Sequence, residues 1–183
     1  MMPRIAILAA ALFAASAFAE SDEEAARKCE ALMLSSPAMK HPEMQEALHR
    51  VDSSPVGVFQ KLDELSERGY PSAQYTMAVM NQSGTCVNRD LKIALEYHTR
   101  AAGAGVAASQ RALAENYLLG PRAPEAIRLG VAEDPVRAYS WYRLLDDRAA
   151  IAKLKKRLTP LQVARGEALA ATTREKQHYQ EPD

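Results

Sequence analysis

Residues 73–105, AQYTMAVMNQSGTCVNRDLKIALEYHTRAAGAG, and residues 109–145, SQRALAENYLLGPRAPEAIRLGVAEDPVRAYSWYRLL, carry one pattern twice. In the first copy the recurring positions are Ala73, Met77, Ala78, Gly84, Val87, Asp90, Ala94, Tyr97, Ala101, Ala102 and Gly105. The second answers with Ser109, Leu113, Ala114, Gly120, Val131, Asp134, Ala138 and Trp141. Gly69 to Gly105, Ala73 to Ser109 and Met77 to Leu113 are each 36 residues apart. A period of that size marks a row of stacked supersecondary units. Such arrays usually hold other proteins along an extended surface and do no chemistry.

Within each copy the spacing is helical. Ala73, Met77 and Ala78 form a narrow stripe of small and apolar residues at i, i+4 and i+5. Ala94, Tyr97, Ala101 and Ala102 do the same for a second helix, and Asp90 ahead of them suits an N-cap. Gly84 supplies the turn between the helices at positive φ. Gly103 and Gly105 are both candidates to stop the second helix. Recurrent alanine lets the two helix backbones approach closely, so each copy is expected to be a tight antiparallel hairpin. Neither hairpin buries its stripe alone, which makes stacking obligatory.

The pattern resembles the Sel1-like repeat family, relatives of the tetratricopeptide repeats. Ala73 to Gly105 fits the family register without a gap, with Met77, Ala78, Asn81 and Tyr97 as substitutions. Cys86 stands where the family has its second glycine. The next copy matches through Ser109, Leu113, Ala114, Tyr117 and Gly120, then Asp134, Ala138, Trp141 and Tyr142. Gly120 to Asp134 is 14 residues against 6 from Gly84 to Asp90, so this copy carries eight extra residues. Val58 to Gly69 looks like the second helix of a degenerate earlier unit, and Leu158 to Gln162 like the start of a closing helix. The resemblance covers roughly residues 55–171. It implies an all-α fold, a short right-handed α-solenoid of antiparallel helix pairs.

The expected organisation is a signal peptide at 1–19, an N-terminal helical cap at 20–54, repeats over 55–147 with an insertion at 121–133, and a C-terminal cap and tail over 148–183. Arg4, the apolar run Ile5 to Ala15 and Ala17-Phe18-Ala19 read as a secretory signal cut after Ala19. The apolar run is too short to span a bilayer, so no membrane insertion is expected after cleavage. The residue after the cut is Glu20 and not cysteine, against a lipid anchor. A periplasmic protein is the simplest expectation; a secreted one is the alternative. Of 23 basic residues, loss of Arg4 leaves 22 against 23 acids, a formal charge of −1. That balance disfavours a nucleic-acid partner. The one basic cluster, Lys153, Lys155, Lys156 and Arg157, reads as a solvated helix end where cations suit the helix dipole.

Cys29 and Cys86 are the only cysteines, and both lie beyond the cut. In an oxidising compartment such a pair is expected to form a disulfide tying an N-terminal helix, roughly residues 21–34, to the turn of the first full repeat. Two unpaired thiols are the alternative. Neither residue belongs to a C-x-x-C motif, which gives redox catalysis little support.

The search for an active site is mostly negative: no G-x-S-x-G elbow, phosphate loop or H-E-x-x-H motif is present. His41, Glu43, Glu46 and His49 crowd together, but Pro42 interrupts the helix and two turns separate the histidines. No metal site or cofactor is expected. His98 is read as an outward-facing residue, solvated or at the core edge. Asp146 and Asp147 are read as the start of the helix at Arg148. Insertions in repeat arrays map to loops on one face, often the binding face. Arg122 and Arg128 are therefore candidates to reach acidic groups on a partner, with Ile127 and Leu129 as anchors; a spacer that packs on itself is the alternative.

Two function classes follow. A non-catalytic binding protein would use a concave helical face carrying Tyr75, Val79, Gln82, Arg111 and Glu115, together with Arg122 and Arg128. The resemblance implies adaptor or scaffold roles, with immunity proteins that neutralise a toxic effector as a variant. The enzyme class rests on cysteine-rich Sel1-like proteins with weak β-lactamase or penicillin-binding activity. Those carry a cysteine pair in every repeat, and this chain has one cysteine in one repeat. The sequence names neither the partner nor the oligomeric state.

Overall fold

Three times the chain leaves one helix and enters the next through the same turn. The backbone N–H groups of Gly69, Gly105 and Asp146 donate to the carbonyls of Ser66, Ala102 and Arg143 at 3.1, 3.0 and 3.4 Å. Their successors Tyr70, Val106 and Asp147 donate to Leu65, Ala101 and Tyr142 at 3.0, 2.9 and 3.1 Å. Gly69, Gly105 and Asp146 have φ of 93°, 92° and 51°. This is the Schellman ending, in which a left-handed residue closes a helix and satisfies its last carbonyls. Its recurrence is the architectural repeat of the protein.

The computed structural model describes residues 19–40, 42 and 55–179. Among them the elements are α1 (Ala19–Ser35), a 3₁₀ turn (Pro37–Lys40), α2 (Pro55–Glu67), α3 (Pro71–Ser83), α4 (Leu91–Gly103), α5 (Ala107–Leu119), two short 3₁₀ turns (Gly120–Arg122 and Glu125–Ile127), α6 (Pro135–Leu144), α7 (Arg148–Lys155) and α8 (Pro160–Tyr179). No strand occurs among the described residues. Each helix from α2 to α6 packs on its successor in the chain, and α8 packs on α6. The fold is an all-α solenoid of helix pairs, as the repeat pattern requires.

Residues one period apart hold equivalent places. Gln74 and Gln110 are both buried, and their amides donate to the Ser66 and Ala102 carbonyls at 3.3 and 3.1 Å. Asp90 caps α4 by accepting from the Lys92 and Ile93 amides, and Asp134 caps α6 by accepting from Val136 and Arg137. Ala73, Ala78, Ala94, Ala101, Ala102, Ala114 and Ala138 are wholly buried. A larger side chain at any of these would force the helices apart.

Three apolar clusters run along the array. The first joins α1 to α4 around Met33, Leu62, Leu65, Met77 and Met80. The middle one gathers Ala94, Ala102, Leu113 and Leu129. The last packs Tyr139, Tyr142, Ile151 and Leu154. Helix α8 opens with reciprocal bonds between Thr159 and Gln162, a capping box. It then lies back across α6, where a Cβ on Gly166 would come within 2.6 Å of the Tyr139 ring. The Tyr139 hydroxyl donates to Glu167 at 2.6 Å, and Arg143 donates to the same carboxylate at 2.8 Å. Gln177, near the end of α8, donates to the Ala102 carbonyl at 3.2 Å, so the helix reaches back to α4.

Cys29 and Cys86 are bonded, with Cα atoms 4.9 Å apart across 57 residues of chain. In the chain-entropy description a loop that long stabilises by about 4 kcal/mol. Cys86 has φ of 69°. That left-handed backbone explains why the family pattern places glycine there.

Three expectations need correction or sharpening. Of the two glycines proposed to stop α4, only Gly105 takes the left-handed turn; Gly103 is the last residue of the helix itself. His98 is not outward-facing. It is 1% exposed, because the following helix α5 stacks directly over its side of α4. The helix ahead of the first full repeat starts at Pro55 and ends at Glu67, earlier at both ends than residues 58–69. His41, Glu43, Glu46 and His49 lie outside the described residues.

Candidate functional site

The first helix of each pair leaves one side open. On α3 the half-exposed positions are Pro71, Ser72, Tyr75, Val79 and Gln82. They share one arc because helical rotation brings i, i+3/i+4 and i+7 together. The remaining positions from Ala73 to Asn81 are buried. One period later Tyr75 and Val79 become Arg111 and Glu115 on α5. Both stay accessible, Arg111 exposed and Glu115 half-buried. The repeat therefore sets an aromatic and an aliphatic residue in register with a cation and an acid, at equivalent positions of α3 and α5.

Arg111 also links two units, with its Nη1 3.4 Å from an Asp147 oxygen. Asp147 keeps its acidity because the Ala150 amide at the start of α7 donates to it; its carboxyl lies below the usual range. Burial first, then the carboxylates of Glu115 and Asp147, push the neighbouring Tyr142 hydroxyl above its ordinary value.

Gln82 turns inward. Its Nε2 donates to the Ile127 carbonyl at 2.6 Å, and its Oε1 lies 3.2 Å from His98 Nε2. Since the Gln82 oxygen only accepts, His98 carries its proton on Nε2 and its Nδ1 accepts from the Ser109 hydroxyl at 3.1 Å. Burial lowers the His98 pKa to about 4, so the ring is neutral. The Tyr75 ring meets it edge-on, with centroids 6.1 Å apart. A serine donating to a histidine looks like an activated nucleophile. Here both residues are at most 1% exposed, so a substrate has no approach to them.

The insertion is bound to this network. Asn116 Nδ2 donates to the Ile127 carbonyl at 2.8 Å, while its Oδ1 accepts from the Leu129 amide at 2.7 Å. Arg89 reaches across from the preceding turn: its Nε donates to the Gln82 carbonyl at 2.9 Å, and its guanidinium pairs with Glu125. Arg122 donates to Glu133 at 2.8 Å. Arg128 donates to the Ala123 carbonyl at 3.1 and 3.0 Å and pairs with Glu125 at 2.8 Å. Leu129 is buried, whereas Ile127 is exposed. Tyr75 and Val79 thus hold places equivalent to those of Arg111 and Glu115 one period later, while Gln82, Arg122 and Arg128 lie in the joint that fixes the insertion. Asn116 and Arg89 were missed, and nothing in their local sequence marks them. Among the described residues no group of three or more histidine, cysteine or acidic side chains is placed to hold a metal, and no helix is long and apolar enough to cross a membrane.

One comparison bears on this geometry. The structure superposes on the crystal structure of a protective antigen present in uropathogenic Escherichia coli strains, described as displaying an SLR fold, with a TM-score of 0.55 and 19% identity. The fold is that of a Sel1-like repeat solenoid. The superposition covers 89% of this chain and 35% of the antigen, so this chain spans about a third of its neighbour's length. No protein-family description matches the chain, and no curated protein matches it by sequence.

Proposed function

We propose that this protein is a non-catalytic scaffold of the periplasm whose solenoid holds a protein partner on the open side of α3 and α5. The observation that carries the reading is the register of Tyr75 and Val79 with Arg111 and Glu115. Tyrosine and arginine are among the residues enriched in binding hot spots. The signal-like residues 1–19 support export, and a disulfide fits an oxidising compartment. The enzyme alternative draws no support from the Ser109–His98 pair, which is sealed in the core. The immunity-protein variant would use the same face and differ only in the partner.

The test compares capture by three forms of the full chain from a periplasmic extract: wild type, Tyr75→Ser/Arg111→Glu, and Lys92→Glu on the outer side of α4. A protein retained by wild type and Lys92→Glu and lost by the double variant supports the face. Equal retention by all three, or β-lactam hydrolysis by the wild type, overturns the reading.

A further inference from the structure

The corner between α7 and α8 carries charge that the fold leaves largely uncompensated. Residues 148–166 hold six basic residues and no acid, although the whole chain balances 23 against 23. The backbone stays helical to Leu158, whose amide donates to the Leu154 carbonyl at 3.0 Å. Lys153, Lys156 and Arg157, at i, i+3 and i+4, therefore share an arc turned away from the buried Ile151 and Leu154, and all three are exposed. Lys153, Lys156 and Arg165 form no ion pair among the described residues. Arg157 lies 3.6 Å from Glu133, but Arg122 holds that carboxylate at 2.8 Å. Glu167, which feels the charge of Lys155, is already bonded by Tyr139 and Arg143. The dipole of α7 accounts for cations in its last turn. It does not account for Arg165, in the second turn of α8. From Lys155 to Gln162 every residue except Leu158 is exposed, so the corner projects into solvent. Leu161 is 80% exposed and Leu169 41%. Leu161, Arg165 and Leu169 lie at i, i+4 and i+8, an arc separate from the buried Gly166 and Ala170. Four residues apart, Arg157 and Leu161 lie within about 14 Å of each other.

We propose that this corner docks on an anionic lipid surface, with Lys153, Lys156, Arg157 and Arg165 against phosphate headgroups and Leu161 entering the interface between them. A projecting corner suits a surface that is flat and yields. Lysine is a point charge on a flexible stem, and fluid headgroups rearrange to meet it. A leucine held in water gains by burial at the boundary between headgroups and acyl chains. The cations draw the corner in, and the leucine fixes its depth. Side chains of a helix lean toward its N-terminus, so Leu161 leans toward the cations at the corner and not along α8. The contact is peripheral and spans nothing. It uses neither α3 nor α5 and does not rest on the reading of their open side.

Cosedimentation of the full chain with vesicles tests the docking. The vesicles are phosphatidylcholine alone, or phosphatidylcholine with about a third phosphatidylglycerol. Wild type is compared with Lys153→Gln/Lys156→Gln, Leu161→Ser, Leu161→Trp, and Lys40→Gln/Lys92→Gln, which removes the same charge elsewhere. Every form shares residues 1–19, so differences among them read the corner. Wild type should favour the phosphatidylglycerol vesicles, and raising salt from about 0.1 to about 0.5 M should abolish that preference. Lys153→Gln/Lys156→Gln should lower partitioning onto them at least about tenfold, while Lys40→Gln/Lys92→Gln stays within about twofold of wild type. Leu161→Ser should lower it several-fold, and Leu161→Trp, whose ring seats at the interface, should raise it. No preference for phosphatidylglycerol overturns the proposal, and so does an equal loss in both charge variants. Partitioning indifferent to both Leu161 substitutions overturns it too, and would leave the corner a site for acidic proteins.

Discussion

Asp90 and Asp134 occupy the same place in their repeats although 44 residues, not 36, separate them. The Asp90 amide donates to the Asn81 carbonyl at 2.9 Å, and the Asp134 amide donates to that of Tyr117 at 2.7 Å. Asn81 and Tyr117 are one period apart, so the eight extra residues leave the array and return to the same hydrogen bond. The insertion changes the surface without shifting the stack.

Asn116 is what holds that excursion down. Replacing it by alanine strands the buried Leu129 amide, while the Ile127 carbonyl keeps its bond from Gln82. The expected loss is about 1–3 kcal/mol, from one buried donor left without a partner. Urea unfolding checks it; a midpoint within error of wild type would show that the insertion is not tied through this side chain.

Gly120 and Gly69 both have positive φ, yet alanine should cost very different amounts. At Gly69 a Cβ would meet no atom within 4 Å, so only the backbone conformation is penalised, by about 1 kcal/mol. At Gly120 the Cβ would sit 2.6 Å from the Glu133 backbone nitrogen. Gly120→Ala must displace the end of the insertion and should lower Tm several degrees further than Gly69→Ala. Equal Tm values for the two variants would count against this packing.

Asp146 performs with an aspartate what Gly69 and Gly105 perform with glycine. Asp146→Gly should therefore stabilise the third turn by about 0.5–1 kcal/mol, because glycine carries no Cβ penalty at positive φ. A rise of roughly 1–4 °C in Tm is expected for a domain of this size. A fall would mean that the exposed ion pair of Asp146 with Arg148, 3.8 Å apart, outweighs the backbone relief.

His98 makes stability depend on pH. Its folded pKa, about 4, lies below the unfolded value of 6.5, so the unfolded chain binds the extra proton first. Stability is then flat above pH 6.5 and falls as pH drops from 6.5 towards 4, by an amount on the order of 3 kcal/mol. His98→Gln, which keeps hydrogen-bonding capacity without titrating, should flatten the profile in that window. An identical slope in both proteins would assign the loss to other groups.

Periodicity made the helix pairs, the cap at Asp90 with its counterpart Asp134, and the turn at Gly84 legible in the chain, because each depends on residues close in sequence. The same period put Tyr75 with Arg111 and Val79 with Glu115 before any coordinates. His98 was misread for a related reason: its neighbours on α4 do not show that α5 will cover it.

What the sequence determined by itself is the repeat: hairpins of helix whose small apolar stripes must stack, since none is buried alone. Tertiary structure alone decided which polar side chains became mortar. Gln82, Arg89, Asn116 and Arg128 spend their donors on carbonyls and carboxylates of a loop up to 45 residues away, and α8 folds back to reach α4. Such pairings depend on where the chain returns in space, and local spacing carries no record of that.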